Sequence, residues 1–112
     1  MKSIQYIIPL PERKGFKFIE PGSVMRCEAR GQHTLVYMLT GENVLFAKSL
    51  EFMEELLTEY SFVRVHDAHL INTEYVSFYL QENGGFVMMK DGAEIKITRN
   101  KRNMLLKRME AV

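Results

Sequence analysis

Tryptophan is absent from this sequence, and cysteine occurs once, at Cys27. A lone cysteine excludes an intramolecular disulfide and fits a reducing compartment. Long apolar runs are missing too, since no stretch approaches the roughly 20 residues that a membrane-spanning helix requires. The run Ile4-Gln5-Tyr6-Ile7-Ile8 is too short for a secretory signal. These absences lead to the expectation of a soluble, cytoplasmic chain with no membrane partner. Nor is charge of one sign in excess: 15 basic and 14 acidic side chains leave a net charge of +1. Whole-chain charge therefore announces no nucleic acid, and such a partner must show in local clustering.

Patterns of catalysis are also lacking. There is no glycine-rich phosphate loop, no nucleophile elbow and no locally supported Cys/His pair. His66-x-x-His69 offers two metal ligands, but no third His or Cys stands at a standard spacing, and Cys27 and His33 are distant in sequence. The expectation is a protein that is not an enzyme and carries neither metal nor cofactor.

What is present is a chain of 112 residues, 46% hydrophobic, with no repeats and no low-complexity linker. That describes one ordered domain able to build a core without staples. Residues 1–17 read as an N-terminal extension and first strand, with Ile4 to Ile8 stopped by Pro9 and Pro11. Short strands follow at Phe16 to Glu20, Val24 to Ala29, Thr34 to Thr40 and Val44 to Ala47. Ser49 is placed to cap a helix whose Leu50, Met53, Leu57 and Tyr60 recur at helical spacing. Its other positions carry Glu51, Glu54, Glu55 and Glu59, a face that would repel phosphates and must point away from any nucleic acid.

The segment Phe62 to Asn72 reads as irregular and polar. After it, Val76, Phe78 and Leu80 alternate with Tyr75, Ser77, Tyr79 and Gln81. Phe86 to Lys90 leads through Asp91-Gly92, a hairpin signal, to Glu94 to Ile97, with Ile95 and Ile97 facing in. Thr98 can cap a final helix with Leu105, Leu106 and Met109 as its apolar stripe. Eight or nine short strands and two helices make a mainly β, antiparallel domain, arranged in several small sheets.

The terminal run of Arg99, Lys101, Arg102, Lys107 and Arg108 has no acid within it. Three of these cations lie in the first turn of the last helix, where each opposes the macrodipole at a cost of about 0.3–1 kcal/mol when exposed. Such a helix end is a ready phosphate site, and Arg can reach a guanine edge with two hydrogen bonds. The competing reading is a solvated tail with the Arg102 stem laid over Leu105. His33 stands in the polar loop Gly31-Gln32-His33-Thr34, where it is either simply solvated or able to meet a base edge or phosphate.

Taken in order, these features resemble the LytTR family over about Phe18 to Met109. The resemblance is carried by Val24-Met25-Arg26-Cys27-Glu28-Ala29 with its Gly31–Thr34 loop, the Ser49-Leu50-Glu51 helix start, Tyr75-Val76, Asp91-Gly92 and Ile95-Lys96-Ile97-Thr98-Arg99-Asn100. Its specific part is Phe62-x-Arg64-x-His66 leading to Leu70-Ile71-Asn72. The resemblance implies elongated antiparallel β-sheets with one or two short helices, and double-stranded DNA bound through the loops between strands. It implies a bacterial transcription regulator of the response-regulator output type, here without a receiver domain, acting on direct-repeat promoter sites. A second copy on the DNA and a sensor or regulatory protein are the further partners implied.

Carried over residue by residue, His33 with Thr34 would touch a base in the major groove, Asp67 would lie at the DNA surface and Arg99 would read a guanine. Asn100, Lys101 and Arg102 would stand beside Arg99, with Arg102 placed for a phosphate. The chain departs from the family pattern at Asp67-Ala68, where Arg or Asn followed by Ser is common, and at Thr98, where Ser is usual. A carboxylate at position 67 repels phosphate but can accept from cytosine N4, so it shifts base preference or weakens binding. The alternative function is a protein-interaction module on the same fold, with DNA binding weakened or lost.

Overall fold

The computed structural model describes residues 8–12 and 14–110. The strands are β1 (Ile8–Glu12), β2 (Gly15–Ile19), β3 (Val24–Arg30), β4 (His33–Met38), β5 (Asn43–Phe46), β6 (Phe62–His66), β7 (His69–Asn72), β8 (Val76–Leu80), β9 (Phe86–Met89) and β10 (Glu94–Lys96). Two α-helices join them, α1 (Leu50–Leu56) and α2 (Arg99–Glu110). The strands form a five-stranded sheet in the order β5-β4-β3-β7-β6, a three-stranded sheet in the order β10-β9-β8 and a β1-β2 ribbon. Every pairing is antiparallel. The whole is a slab of 44 × 37 × 23 Å.

The five-stranded sheet is the middle layer because its strands are apolar on both sides. Cys27, Val36, Phe46 and Leu70 point to one side, where Leu50, Met53 and Leu57 of the first helical segment cover them. Met25, Val63, Val65 and Ile71 point to the other, against Val87, Met89, Ile95 and Ile97 of the three-stranded segment and Leu105 of α2. Adjacent residues such as Leu70 and Ile71 thus serve opposite cores, as alternation along a strand requires. The Cys27 thiol is sealed in the first core, and burial pushes its pKa up to about 12 despite the neighbouring Arg26 cation.

Several expectations hold. The mainly β, antiparallel fold with two helices is present. Ser49 caps α1, its Oγ accepting from the Phe52 amide at 3.1 Å. Ile95 and Ile97 are buried, while Glu94 and Lys96 face outward.

Others are corrected. Ile4 to Ile7 lie outside the described residues; within those described, β1 (Ile8–Glu12) is not stopped by the prolines but runs through both Pro9 and Pro11. Proline is tolerated there because, among the described residues, β1 pairs only with β2 and its outer side makes no ladder. The segment expected to be irregular is the β6–β7 hairpin, whose strands are buried on both sides and joined by only Asp67-Ala68. The alternation over β8 also breaks: a register shift between Val76 and Phe78 leaves Phe78 57% exposed and turns Tyr79 onto the core. Thr98 does not close α2 with its side chain as expected: among the described residues its single hydroxyl proton is directed to Asn100 Oδ1 at 3.1 Å, with Val65 O the longer alternative at 3.4 Å. Leu106 is only partly covered, so the inner stripe of α2 is Leu105 with Met109.

Since Leu105 is fully buried at the junction of α2 with both sheets, Leu105→Ala should cost about 2–5 kcal/mol. Urea unfolding checks this, and a loss below about 1 kcal/mol would mean that the site is not packed as described.

Candidate nucleic-acid interface

Pairing in the five-stranded sheet gathers four connections at one end. Arg30 pairs with His33, so the β3–β4 turn is Gly31-Gln32, and Gly31 takes the φ of +62° that a side chain resists. His66 pairs with His69, so the β6–β7 turn is Asp67-Ala68. β3 lies against β7 with Glu28 opposite His69, and the Ala29 amide donates to Ala68 O at 2.9 Å, which sets the two turns side by side. On the outer side of β4, Thr34 pairs with Phe46, so β5 leaves the sheet at the same end toward Lys48. On the outer side of β6, the Thr98 amide donates to Val65 O at 2.9 Å and brings the start of α2 there too. With about 4.8 Å between neighbouring strands, β4 and β6 stand about 14 Å apart.

On this edge His33, Asp67, Arg99 and Asn100 are exposed. Arg99 makes no intramolecular polar contact among the described residues. Asn100 Oδ1 accepts from Thr98 Oγ1 at 3.1 Å, and Lys101 is partly exposed. No acid accompanies them in the first turn of α2. Thr34 is placed otherwise than expected. It is fully buried, and its hydroxyl donates to Lys48 O at 2.8 Å, so it holds the β5–α1 connection from inside and cannot reach an external base. Arg102 is also engaged internally, with Nη2 donating to Gly84 O.

The Asp67 turn is held on two sides. Arg64 donates from Nε to His66 O at 2.9 Å and from Nη2 to Asp67 O at 2.5 Å. The same guanidinium reaches Glu54 at 2.7 Å and Glu51 at 3.3 Å, fastening the turn to α1. Within the turn, His66 Nδ1 accepts from the Ala68 amide at 3.0 Å. Arg64 was legible as part of a motif, but nothing in the sequence marked it as the residue that holds the backbone of the Asp67 turn.

The sequence profile described as the LytTr DNA-binding domain matches residues 14–110. This chain belongs to the LytTR DNA-binding domain family. Among solved structures, the LytTR chain is similar to the LytTr DNA-binding domain of a methyl-accepting/DNA response regulator from Bacillus cereus. The TM-score is 0.75 at 20% identity, with 92% of this chain and 95% of that one covered, a likeness that shows the fold. No curated protein matches the sequence. The family is a DNA-binding one and not an enzymatic one. Among the described residues no three His, Cys, Asp or Glu side chains gather as a metal site, and no helix is long and apolar enough to cross a membrane.

Two cations of the LytTR edge were missed by sequence reasoning. Arg30 is half exposed at the β3–β4 turn, 3.4 Å from Glu28, and Lys48 is exposed beside Thr34 with its ammonium 5.1 Å above the Phe52 ring. Neither belongs to a charge run, and only the register of β5 on β4 brings Lys48 to this end.

His69 adds a pH dependence. Burial holds its pKa below 6.5, opposed by the facing Glu28 carboxylate, while His66 lies 5.4 Å away ring to ring. The unfolded chain takes up that proton more readily than the folded one. Stability from this site is thus complete above pH 6.5 and falls as the pH drops through the folded value. Urea midpoints at pH 7.5, 6.5 and 5.5 should decrease in that order, and less so in His69→Asn; an equal decrease in the variant would remove His69 as the cause.

Proposed function

We propose that this LytTR domain binds double-stranded DNA sequence-specifically as a bacterial, cytoplasmic transcription regulator. The sheet edge enters the major groove at direct-repeat promoter sites, a second copy occupies the neighbouring repeat, and a sensor or regulatory protein governs the pair. The observation that carries this reading is Arg99, an exposed guanidinium without an intramolecular polar contact among the described residues. It stands at the amino end of a helix with no acid in its first turn, on the edge that also bears His33 and Asp67.

In this reading Arg99 makes the bidentate contact to guanine O6 and N7, the commonest specific contact in the major groove. His33 approaches a neighbouring base, and Asp67 accepts from cytosine N4. Asn100 and Lys101, with the α2 amide groups behind them, hold phosphate. Thr34 supports His33 from within.

A second reading has a specific observation in its favour. Asp67 puts a carboxylate at the centre of the edge, with Glu51 73% exposed close behind it. These acids fit a protein partner better than a phosphate backbone. Elution from heparin or calf-thymus DNA at very low salt, together with a stable protein complex, would favour that reading.

Selection of bound fragments from random duplexes, followed by binding across a salt series, tests the first reading. Affinity should fall steeply with salt as counterions are released. Arg99→Ala should cost about 1–3 kcal/mol and relax preference at one base pair. A gel-shift series in which that variant loses nothing refutes the assignment. Asp67→Asn should bind nonspecific duplex more tightly, and unchanged affinity at low salt would contradict the repulsion of phosphate by that carboxylate.

A further inference from the structure

Arg102 shares the first turn of α2 with Arg99 and Lys101, yet its surroundings differ from theirs. Nη2 donates to Gly84 O in the β8–β9 connection. Nε is buried and, among the described residues, has no hydrogen-bond partner. A methyl group placed on Gly85 would lie 3.5 Å from that Nε, 3.4 Å from Tyr79 Oη and 3.7 Å from Leu80 O. Gly85 has a φ of +94°, which glycine adopts without strain. Its amide donates to Glu82 O at 3.1 Å, and its carbonyl accepts from the Ile97 amide at 3.2 Å. The guanidinium therefore closes over a glycine backbone that is itself tied to Glu82 within the β8–β9 connection and to the residue just after β10.

We propose that Arg102 is a positioning residue: it locks the first turn of α2 onto the Gly84-Gly85 backbone and so sets the angle at which Arg99 meets its base, without touching phosphate. The inference rests on the DNA-binding reading above. It gives α2 two anchors of different origin. Thr98 bonds to Val65 O of the five-stranded sheet, and Arg102 bonds to the connection between two strands of the three-stranded sheet. The helix start is pinned between the layers, and Arg99 is left free on the outside. It also explains why a cation is kept where the macrodipole disfavours it, since the planar fork of Arg spans a backbone carbonyl and a packed cleft as Lys cannot.

Salt-dependent binding to the selected duplex separates the roles, because removing one cation that neutralises a phosphate lowers the slope of log K against log salt by about 0.9. Arg102→Ala should leave that slope at the wild-type value while the preference for guanine at the Arg99 position falls several-fold. Arg102→Lys, which keeps the charge, should show the same fall. Combined with Arg99→Ala, either change should reduce the preference no further. A phosphate ligand would behave oppositely: a lower slope with Ala, wild-type behaviour with Lys and additive effects in the double variant, any of which overturns the proposal.

A readout without DNA guards against failure of the underlying reading. In Arg102→Lys the Ile97 and Lys101 amides should exchange hydrogen faster than in the wild type, and unchanged protection counts against the lock. If the wild-type domain binds no duplex, the function is refuted, and the exchange measurement still decides whether Arg102 is a lock.

Discussion

The pairing of β3 with β7 is the contact from which the rest of the architecture follows. It sets Arg26, Cys27 and Glu28 beside Ile71, Leu70 and His69, residues far apart along the chain. Through it two hairpins, β3–β4 and β6–β7, merge into one sheet whose turns emerge at the same end. Forming it requires closing a long loop, so it must be supported from both sides. Leu70 and Cys27 receive that support from α1, and Ile71 and Met25 from the three-stranded sheet and α2. Arg26 extends it sideways: its guanidinium lies 3.5 Å over the Tyr37 ring, with Nε 3.6 Å from Asp91 at the β9–β10 turn.

Charge on this protein is arranged by neutralisation more than by excess. The net charge of +1 hides a division in which Glu28, Glu51 and Glu54 near the sheet end are engaged by cations while the Asp67 carboxylate stands exposed. Glu51 and Glu54 are held by Arg64. Glu28 accepts from Tyr37 Oη at 2.7 Å, and although its own burial works against ionisation, that bond and Arg30 hold its pKa below the ordinary value. Arg99 and Lys101 stand without such partners among the described residues. A nearly neutral molecule can therefore present unpaired cations at one helix start, which is why composition announced no nucleic acid and the start of α2 had to be read locally.

Most of the fold was legible where one periodicity acted alone. The Ser49 cap with Leu50, Met53 and Leu57, and Ile95 with Ile97, each obey one spacing and one core. Legibility failed where two cores shared a strand. Phe62 and Val63, or Leu70 and Ile71, go to opposite layers, so β6 and β7 show no polar face to alternate with and their hairpin looked irregular. It failed again at Phe78, where a one-residue slip in register reverses every side chain that follows. For the edge, the resemblance placed Arg99, Asp67 and His33 in one surface, and the sheet order brings their loops together. The inward turn of Thr34, the clamp by Arg64 and the arrival of Lys48 depend on long-range register. No local pattern encodes that.

The sealed thiol of Cys27 has a practical consequence. Because the only sulfhydryl in the sequence is enclosed between α1 and the middle sheet, it takes no part in oxidative cross-linking of copies while the fold persists. A cysteine introduced on the outer surface would be the one accessible handle for a fluorophore or spin probe. The native residue could then stay in place to fill the core.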